Sequence, residues 1–238
     1  MPSYQVKLAG CERLAEGTLA FRFERPAAFA FKPGQAVVVE LLDPPAGEGQ
    51  KRRTFSLASA PYERTLTIAT RMRDTAFKRA LKALPEGASV KLLGPIGQFA
   101  LADTTRPAVF IAGGIGITPF MSMLRQAAKD ESAQRLVLIY SNRRPEDAAF
   151  LGELQELARR NPNFRLVPTM TEMEKSASKW EGETGLVNAS LIERAVNGLA
   201  APVYYVVGPP GMVVAMSDTL RSAGVAEDRI LTEEFYGY

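Results

Sequence analysis

The stretch AVFIAGGIGITPFMSML, Ala108 to Leu124, carries no charge, and counted from Pro107 the uncharged run is eighteen residues long before Arg125. A membrane-spanning helix needs roughly 20 mostly apolar residues, so length alone admits that reading. Composition opposes it. Gly113, Gly114 and Gly116 each weaken a helix, and Thr118-Pro119 suits a helix start better than a helix interior. The run therefore divides into a short buried strand ending at Ala112, a glycine turn, and a helix with Thr118 as N-cap and Pro119 at its first position. Glycines permit close backbone approach, and a helix N-terminus offers unpaired N–H groups and a partial positive charge, so a phosphate group fits the turn. The full G-x-G-x-x-G pattern is not met, because Pro119 stands where the third glycine would follow Gly114 and Gly116. A purely structural turn accounts for the same residues.

The remaining composition narrows the chemistry. The 238 residues, 46% hydrophobic and 23% charged, suit one large or two ordinary globular domains. The start MPSYQVKLAG lacks the basic and apolar regions of a signal peptide, which predicts a cytoplasmic chain. A net charge of +3 gives no reason to expect a nucleic-acid partner, and no membrane partner is expected either. Basic residues nevertheless concentrate at Lys51, Arg52, Arg53, Arg71, Arg73, Lys78, Arg79 and Lys82. A solvated surface and a docking surface both fit that concentration. With no histidine, a Ser-His-Asp triad, a histidine base and a His-ligated metal are excluded. Cys11 stands alone, which excludes an iron-sulfur cluster, a zinc knuckle and an internal disulfide, and no metal site is expected. Demanding chemistry then falls to an organic cofactor.

Two halves follow different patterns. From Tyr4 to about Leu101, short alternating runs such as GTLAFRFE, AVVVELL, RRTFSLAS and TLTIATRM are broken by KPGQ, DPPAGEGQ and LPEG, which predicts an antiparallel six-stranded β-barrel. One helix interrupts it: DTAFKRALKAL places Ala76, Ala80, Leu81 and Leu84 on one face, with Asp74 or Thr75 as N-cap. Beyond ADTTRP, the apolar strands AVFIA, RLVLIY, FRLVPTM and VYYVVG alternate with helices PFMSMLRQAAK, PEDAAFLGELQELARR, SLIERAV and GMVVAMSDTLRSAG. That is the pattern of an α/β doubly wound parallel sheet. The expected division is 1–102 and 103–238.

Three further motifs stand out. In RRTFSLASAP, strand alternation puts Arg53 and Phe55 on one face and Ser56 on the other; arginine can grip a diphosphate, an aromatic can stack on a planar ring, and serine can hydrogen-bond a ring nitrogen. Arg and Phe on a strand are also ordinary surface and core residues. In YYVVGPPGMVVAM, Gly208-Pro209-Pro210-Gly211 opens a helix with Met212 near its start, at the carboxyl edge where open α/β sheets bind ligands; a stiff connection explains the prolines equally well. The end, LTEEFYGY, gathers Phe235, Tyr236 and Tyr238 beside Glu233 and Glu234, where a chain would ordinarily fray.

With these elements in order, the sequence resembles the ferredoxin-NADP reductase superfamily over nearly its whole length. RTFS is similar to the flavin-binding R-x-Y/F-S motif, GGIGITP to the nicotinamide-nucleotide loop, VGPPGM to the C-G-P-P-x-M turn, and FKPGQ and GPIGQF to two lesser signatures. The resemblance implies an FAD-binding barrel followed by an NAD(P)-binding α/β domain with a flavin-capping C-terminal tail. It implies that Arg53 binds the FAD diphosphate, Phe55 stacks near the isoalloxazine, Ser56 hydrogen-bonds close to flavin N5, and Thr75 with Ala76 holds phosphate, with Thr54 and Arg71 also contacting the cofactor. Gly114, Gly116 and Thr118 would hold the nicotinamide nucleotide's pyrophosphate, while Gly208, Pro209 and Met212 would shape the nicotinamide pocket. Phe235, or Tyr238, would cover the other flavin face, and Glu233 or Glu234 would lie near N5. The implied catalytic set is Ser56, Glu233 and Phe235. Two departures are visible: Phe55 replaces a tyrosine, keeping the ring without its hydroxyl, and Val207 stands where many relatives have cysteine.

The strand RLVLIY ends in Ser141-Asn142-Arg143-Arg144, with no acid until Glu146. An acid there would bind NAD ribose hydroxyls, and arginine accommodates a 2′-phosphate, so Ser141, Arg143 and Arg144 point to NADPH over NADH. A surface turn capping a helix that begins near Pro145 fits equally and leaves that choice open. The implied activity is hydride transfer from NAD(P)H to FAD, then electron delivery to a separate acceptor, such as an acidic ferredoxin or flavodoxin docked on the basic cluster. The competing readings are a flavin or quinone reductase with a diffusible acceptor, and a non-catalytic electron-transfer subunit.

Overall fold

The computed structural model describes residues 1–42, 51–101 and 103–236. The chain divides into two compact units, Met1–Ala100 with Thr118–Ala127, and Leu101–Ile117 with Ala128–Tyr238.

The first unit holds β1 (Ser3–Ala15), β2 (Thr18–Glu24), β3 (Ala36–Leu41), β4 (Arg52–Ser56), β5 (Thr65–Arg71) and β6 (Ser89–Ile96), together with α1 (Ala76–Ala83) and most of α2 (Thr118–Lys129). The strands lie in the order β4-β3-β6-β1-β2-β5, and every pairing is antiparallel. A bridge between Leu57 and Ile68, just beyond β4 and within β5, joins the two edge strands and closes the sheet. Closure removes unpaired edges and turns alternate residues into one core. In β6, Val90 and Leu92 are buried between partly exposed Ser89, Lys91 and Leu93; with Phe21, Phe23, Val37, Val39, Leu66 and Ile68 they fill the interior. Gly34 of KPGQ has φ +94°, and a Cβ there would collide with the Phe99 carbonyl and Met123. Only glycine meets both conditions.

The capping helix α1 starts after Thr75, whose side chain accepts from Lys78 N–H at 3.3 Å. Its buried face centres on Phe77 and Leu81, with Ala80 and Leu84 at the margin and Ala76 half-buried. The expected alanine-leucine face is thus rotated toward Phe77. An aromatic ring removes far more apolar area from water than an alanine does, and that decides the helix's rotation.

The second unit contains β7 (Ala108–Gly113), β8 (Leu136–Asn142), β9 (Phe164–Met170), β10 (Glu183–Thr184), β11 (Val203–Gly208) and β12 (Ile230–Glu234), with α3 (Leu151–Arg160), α4 (Ala189–Val196) and α5 (Pro210–Ser222). The order is β10-β9-β8-β7-β11-β12, all parallel. Central strands β7 and β11 are buried at every position, which is why they read as continuous apolar runs. Val109, Ile111, Val137, Ile139 and Val206 pack against Leu191 and Ile192 of α4 and Val213, Met216 and Leu220 of α5. Phe110 and Tyr205, one residue out of phase, stack on the other face at 5.6 Å.

Three local expectations are corrected. The helix expected from Pro145 is a single 3₁₀ turn, Pro145–Asp147, and α3 begins only at Leu151. Arg144 chelates the buried Asp147 carboxylate at 2.9 and 3.2 Å, and Phe150, at φ +61°, breaks the helical path. Thr118 is the first residue of α2 rather than its N-cap, because Gly114–Ile117 forms a 3₁₀ turn that runs directly into the helix. The short strand β10 and the edge strand β12 were not foreseen, and β12 incorporates Glu233 and Glu234 that a frayed end would leave loose. Among the described residues no helix is long and apolar enough to cross a membrane.

Candidate functional site

In the parallel sheet the strand order reverses at β7: β8, β9 and β10 lie to one side, β11 and β12 to the other. Open α/β sheets bind ligands at such a point, outside the carboxyl ends of the diverging strands. Here those ends are the glycine turn after β7 and the Gly208-Pro209 turn after β11, held level by the pairing of Ala112 with Val207. The turns interlock. A Cβ on Gly116 would lie 2.5 Å from the Val207 carbonyl oxygen and 3.1 Å from Gly208 N. One on Gly113 would lie 2.5 Å from Met212 Sδ and 3.0 Å from Pro209 Cδ, and one on Gly208 would lie 3.3 Å from Gly113 Cα. Gly116 is therefore required for one backbone to lie against another, Gly113 makes room for the Met212 and Pro209 side chains, Gly208 is tight against Gly113, and Gly114 is favoured by its own φ of +51°. Sequence reasoning assigned Gly114 and Gly116 to a phosphate and passed over Gly113. The doubled glycine was the available signal, and the second loop it meets begins 95 residues further along the chain, at Gly208 against Gly113.

The chain end reaches the same edge. In register, Val207 pairs with Glu233 and Gly208 with Glu234, and Phe235 N–H donates to the Gly208 carbonyl at 2.9 Å. Of the two candidate acids, Glu233 is the more buried, half-covered with its Oε2 out of solvent. Its Oε2 has no hydrogen-bond partner among the described residues, and burial pushes its carboxyl above the ordinary glutamate range. Glu234 is exposed and accepts from the Tyr236 hydroxyl. Tyr238 lies outside the described residues.

At the end of β8, Ser141 pairs with Gly113, and the buried Asn142 leaves its Nδ2 without a partner among the described residues. Arg144, a candidate for a 2′-phosphate, is committed to Asp147. Arg143 is more than half exposed and meets Glu172 only at 3.6 Å. Glu146 accepts from the backbone N–H groups of Ala177 and Ser178 and the hydroxyls of Ser176 and Ser178; its own backbone N–H first, then the bonds from Ser178 and Ser176, lower its carboxyl to about 2. It anchors a loop and is absent from the ligand-facing set.

In the barrel unit, β4 presents Arg53 and Phe55 on one side and buries Ser56 on the other, as alternation requires; Thr54 is exposed. Phe55 lies 6.1 Å from Phe77, and the Arg53 guanidinium lies 5.6 Å from the same ring. That brings β4 beside the start of α1, where Thr75 caps, Ala76 is the first helical residue, and the first turn holds no acid. Lys78 donates from Nζ to the Arg71 carbonyl at 2.7 Å, and its ammonium is pushed down by burial and then by Arg73 and Arg53. Three cations thus crowd a helix N-terminus, an arrangement that an anion relieves. Arg52 and Arg79, by contrast, pair with Glu40 and Asp74 on their own surface. The sequence places Arg73 and Lys78 in a basic cluster that suits solvent or a docked partner, and gives Phe77 no role.

A family model for the oxidoreductase NAD-binding domain matches residues 110–218. The glycine betaine monooxygenase reductase subunit of Chromohalobacter salexigens is 30% identical over 92% of this chain and 60% of its own length. Ferredoxin–NADP reductase B of Sorangium cellulosum is 29% identical over 98% of this chain and 97% of its own. The crystal structure of a ferredoxin NADP+ reductase from Neisseria gonorrhoeae with bound FAD and NADP superposes with a TM-score of 0.83 at 24% identity, covering 98% of this chain and 99% of that one. The chain accordingly spans well over half of one reductase component and nearly all of a free-standing reductase. With a closed antiparallel barrel, a parallel sheet reversing at β7, and these relatives aligned across both, the chain is similar in sequence and fold to the ferredoxin–NADP reductase-like FAD/NAD(P)-binding oxidoreductases.

Proposed function

We propose that this chain takes a hydride from NAD(P)H onto FAD and passes the electrons to a separate acceptor, an acidic ferredoxin or flavodoxin. The observation that carries the reading is the cation cluster of Arg53, Arg73 and Lys78 at the acid-free start of α1. Its mutual repulsion fits a diphosphate, and the neighbouring Phe55 offers a flat apolar surface to a ring system. FAD, when bound, supplies two-electron acceptance and one-electron release, which no side chain of this chain can do. In this reading Arg53, Thr54, Arg71, Thr75 and Ala76 hold the diphosphate end, Phe55 stacks, and Ser56 Oγ orients the reactive ring nitrogen. Gly114, Gly116 and Thr118 face the nucleotide's pyrophosphate, and Gly208, Pro209 and Met212 bound its nicotinamide. Phe235, or in its place Tyr238, would cover a flavin face and yield it to the nicotinamide. Glu233 keeps its proton at neutral pH better than an exposed glutamate, as its burial favours, and serves as the proton-holding group near the reacting ring.

The domain roles follow: residues 1–102 for FAD, 103–238 for the nicotinamide nucleotide and the capping tail. NADPH is the proposed donor, with Arg143 meeting the 2′-phosphate and Ser141 beside it. Arg144 is the weaker candidate, since it would have to leave Asp147. A cytoplasmic location is part of the proposal, supported by the single cysteine, in keeping with a reducing compartment.

The test is the visible spectrum of the purified protein, followed anaerobically on adding NADPH and, separately, NADH. A yellow protein bleached faster by NADPH supports the reading. A colourless protein that neither takes up FAD nor bleaches sinks it, and faster bleaching by NADH sinks the role given to Arg143.

A further inference from the structure

Just beyond Ser56 the chain leaves the ladder, yet Leu57, Ala58, Ser59 and Ala60 are fully buried. Backbone groups in such a segment need partners from outside the strand. The N–H groups find them in the barrel: Leu57 N–H donates to the Gln35 carbonyl, Ala58 N–H to the Thr67 carbonyl, and Ala60 N–H to Glu63 Oε1. Two carbonyls turn the other way and are met by α2. Ser122 Oγ donates to the Ser59 carbonyl at 2.7 Å, and Arg125 Nη1 donates to the Ala58 carbonyl at 3.0 Å. Arg125 also approaches Glu63 at 3.5 Å, so the helix grips both ends of the short segment.

Ser122 is fully buried among Phe120, Met121, Met123 and Leu124, where a hydroxyl has no reason to be unless it bonds. Thr118, Ser122 and Arg125 fall at i, i+4 and i+7, one stripe of the helix. The stripe begins at the hydroxyl that follows the glycine turn and ends on the backbone that presents Ser56. Resting on the flavoprotein reading above, we propose that Ser122 and Arg125 are positioning residues for the flavin. They hold the Ala58 and Ser59 carbonyls so that Ser56 Oγ stays fixed, and they make that placement sensitive to the first turn of α2.

The two residues were not singled out by motif. Their signal is a buried serine and a partly buried arginine in a largely apolar helix, both donating to backbone carbonyls, with Glu63 a further partner of Arg125. A structural role alone predicts lost stability and nothing else. A positioning role predicts a change at the flavin that outlasts correction for stability.

The test compares wild type with Arg125→Met, which keeps the stem without the donors, Arg125→Lys, which keeps a cationic donor group without the guanidinium's fork, and Ser122→Ala. Three properties are read: the flavin midpoint potential with its visible circular dichroism, the limiting rate of anaerobic reduction by NADPH against the apparent Kd, and amide hydrogen exchange over 57–60 with and without NADP+. Expected for Arg125→Met and Ser122→Ala is FAD retained, an altered flavin dichroism, and a limiting rate lower by about tenfold, a barrier change of about 1.4 kcal/mol, with Kd within about twofold. Arg125→Lys recovers part of the rate. In wild type NADP+ changes exchange over 57–60, and in Arg125→Met and Ser122→Ala that change is lost. A wild type that binds and reduces FAD, with variants that differ only in melting temperature, overturns this proposal and leaves the flavoprotein reading standing. A wild type without FAD overturns both.

Discussion

Replacing Gly116 by alanine isolates the interlocked turns. The added Cβ would lie 2.5 Å from the Val207 carbonyl oxygen and 2.8 Å from the carbonyl carbon, and ordinary contact begins near 3.4 Å. The obstacle is backbone paired into β7 and β12 on either side, so it cannot rotate away as a flexible side chain would. The turn has to retreat by about 0.9 Å, and overpacking of this kind costs about 3 kcal/mol, at the upper end of the usual range. At about 3–5 °C per kcal/mol for a unit of this size, the melting midpoint falls by about 10 °C. If the turn holds the nucleotide as proposed, a displacement close to 1 Å slows reduction by NAD(P)H on the order of 10²-fold, while FAD absorbance, which the proposal assigns to other residues, is retained. Gly211 is the matched control: nothing lies within 4 Å of its would-be Cβ, and it sits in α5 with ordinary helical backbone. Gly211→Ala raises stability by about 0.5–1 kcal/mol through the unfolded chain's lost freedom. Calorimetry and stopped-flow reduction read both variants. A Gly116→Ala protein that melts within about 1 °C of wild type, measured against that expected drop, and reduces at the wild-type rate would refute the argument that glycine is needed there for packing.

Further outcomes are expected. Glu233 has a raised folded-state value, so between the ordinary 4.5 and that higher value the folded protein binds more protons than the unfolded chain, and stability falls as pH rises through the window; Glu233→Gln flattens this part of the melting curve against pH, and an unchanged profile from pH 4.5 upward counts against a buried carboxyl. Glu146 has the opposite sign: its contribution is present above 4.5 and lost as pH falls toward about 2, so Glu146→Gln destabilises at neutral pH but not at the acid end, and it speeds hydrogen exchange over 176–178. Trp180, the single tryptophan, donates from Nε1 to the Glu183 carbonyl in the same connecting segment, so its emission reports the loosening. Arg25 donates to the carbonyls of Phe29, Pro61 and Glu63 while lying over Phe31; Arg25→Met leaves those acceptors unmatched and costs about 3 kcal/mol in chemical denaturation, and a loss under about 1 kcal/mol would mean water replaces it.

Much of the fold was legible because the two periodicities are unlike. Alternation in β6 and unbroken apolar runs in β7 and β11 are direct consequences of one buried face against two. The helix at Pro145 misled because PEDAAFLGEL has good helical composition; the pairing of Arg144 with the buried Asp147 and a left-handed Phe150 overrode it. Strand β12 was invisible for a related reason. LTEE has neither alternation nor an apolar run, and its strand state comes from the edge of β11 that it completes.

By itself the sequence determined the class of each half, the turn after Ala112, the serine–arginine–aromatic set on β4, and the exclusion of histidine and thiol-cluster chemistry. These are properties of composition and local period, which act within a few residues. Tertiary structure alone decided which glycine serves which contact, which of Glu233 and Glu234 is the more buried, that Arg144 is held by Asp147, and that Ser122 and Arg125 grip the backbone beyond Ser56. Each of those depends on partners tens of residues apart or on burial set by the sheet, and close packing fixes such choices only once distant segments have met.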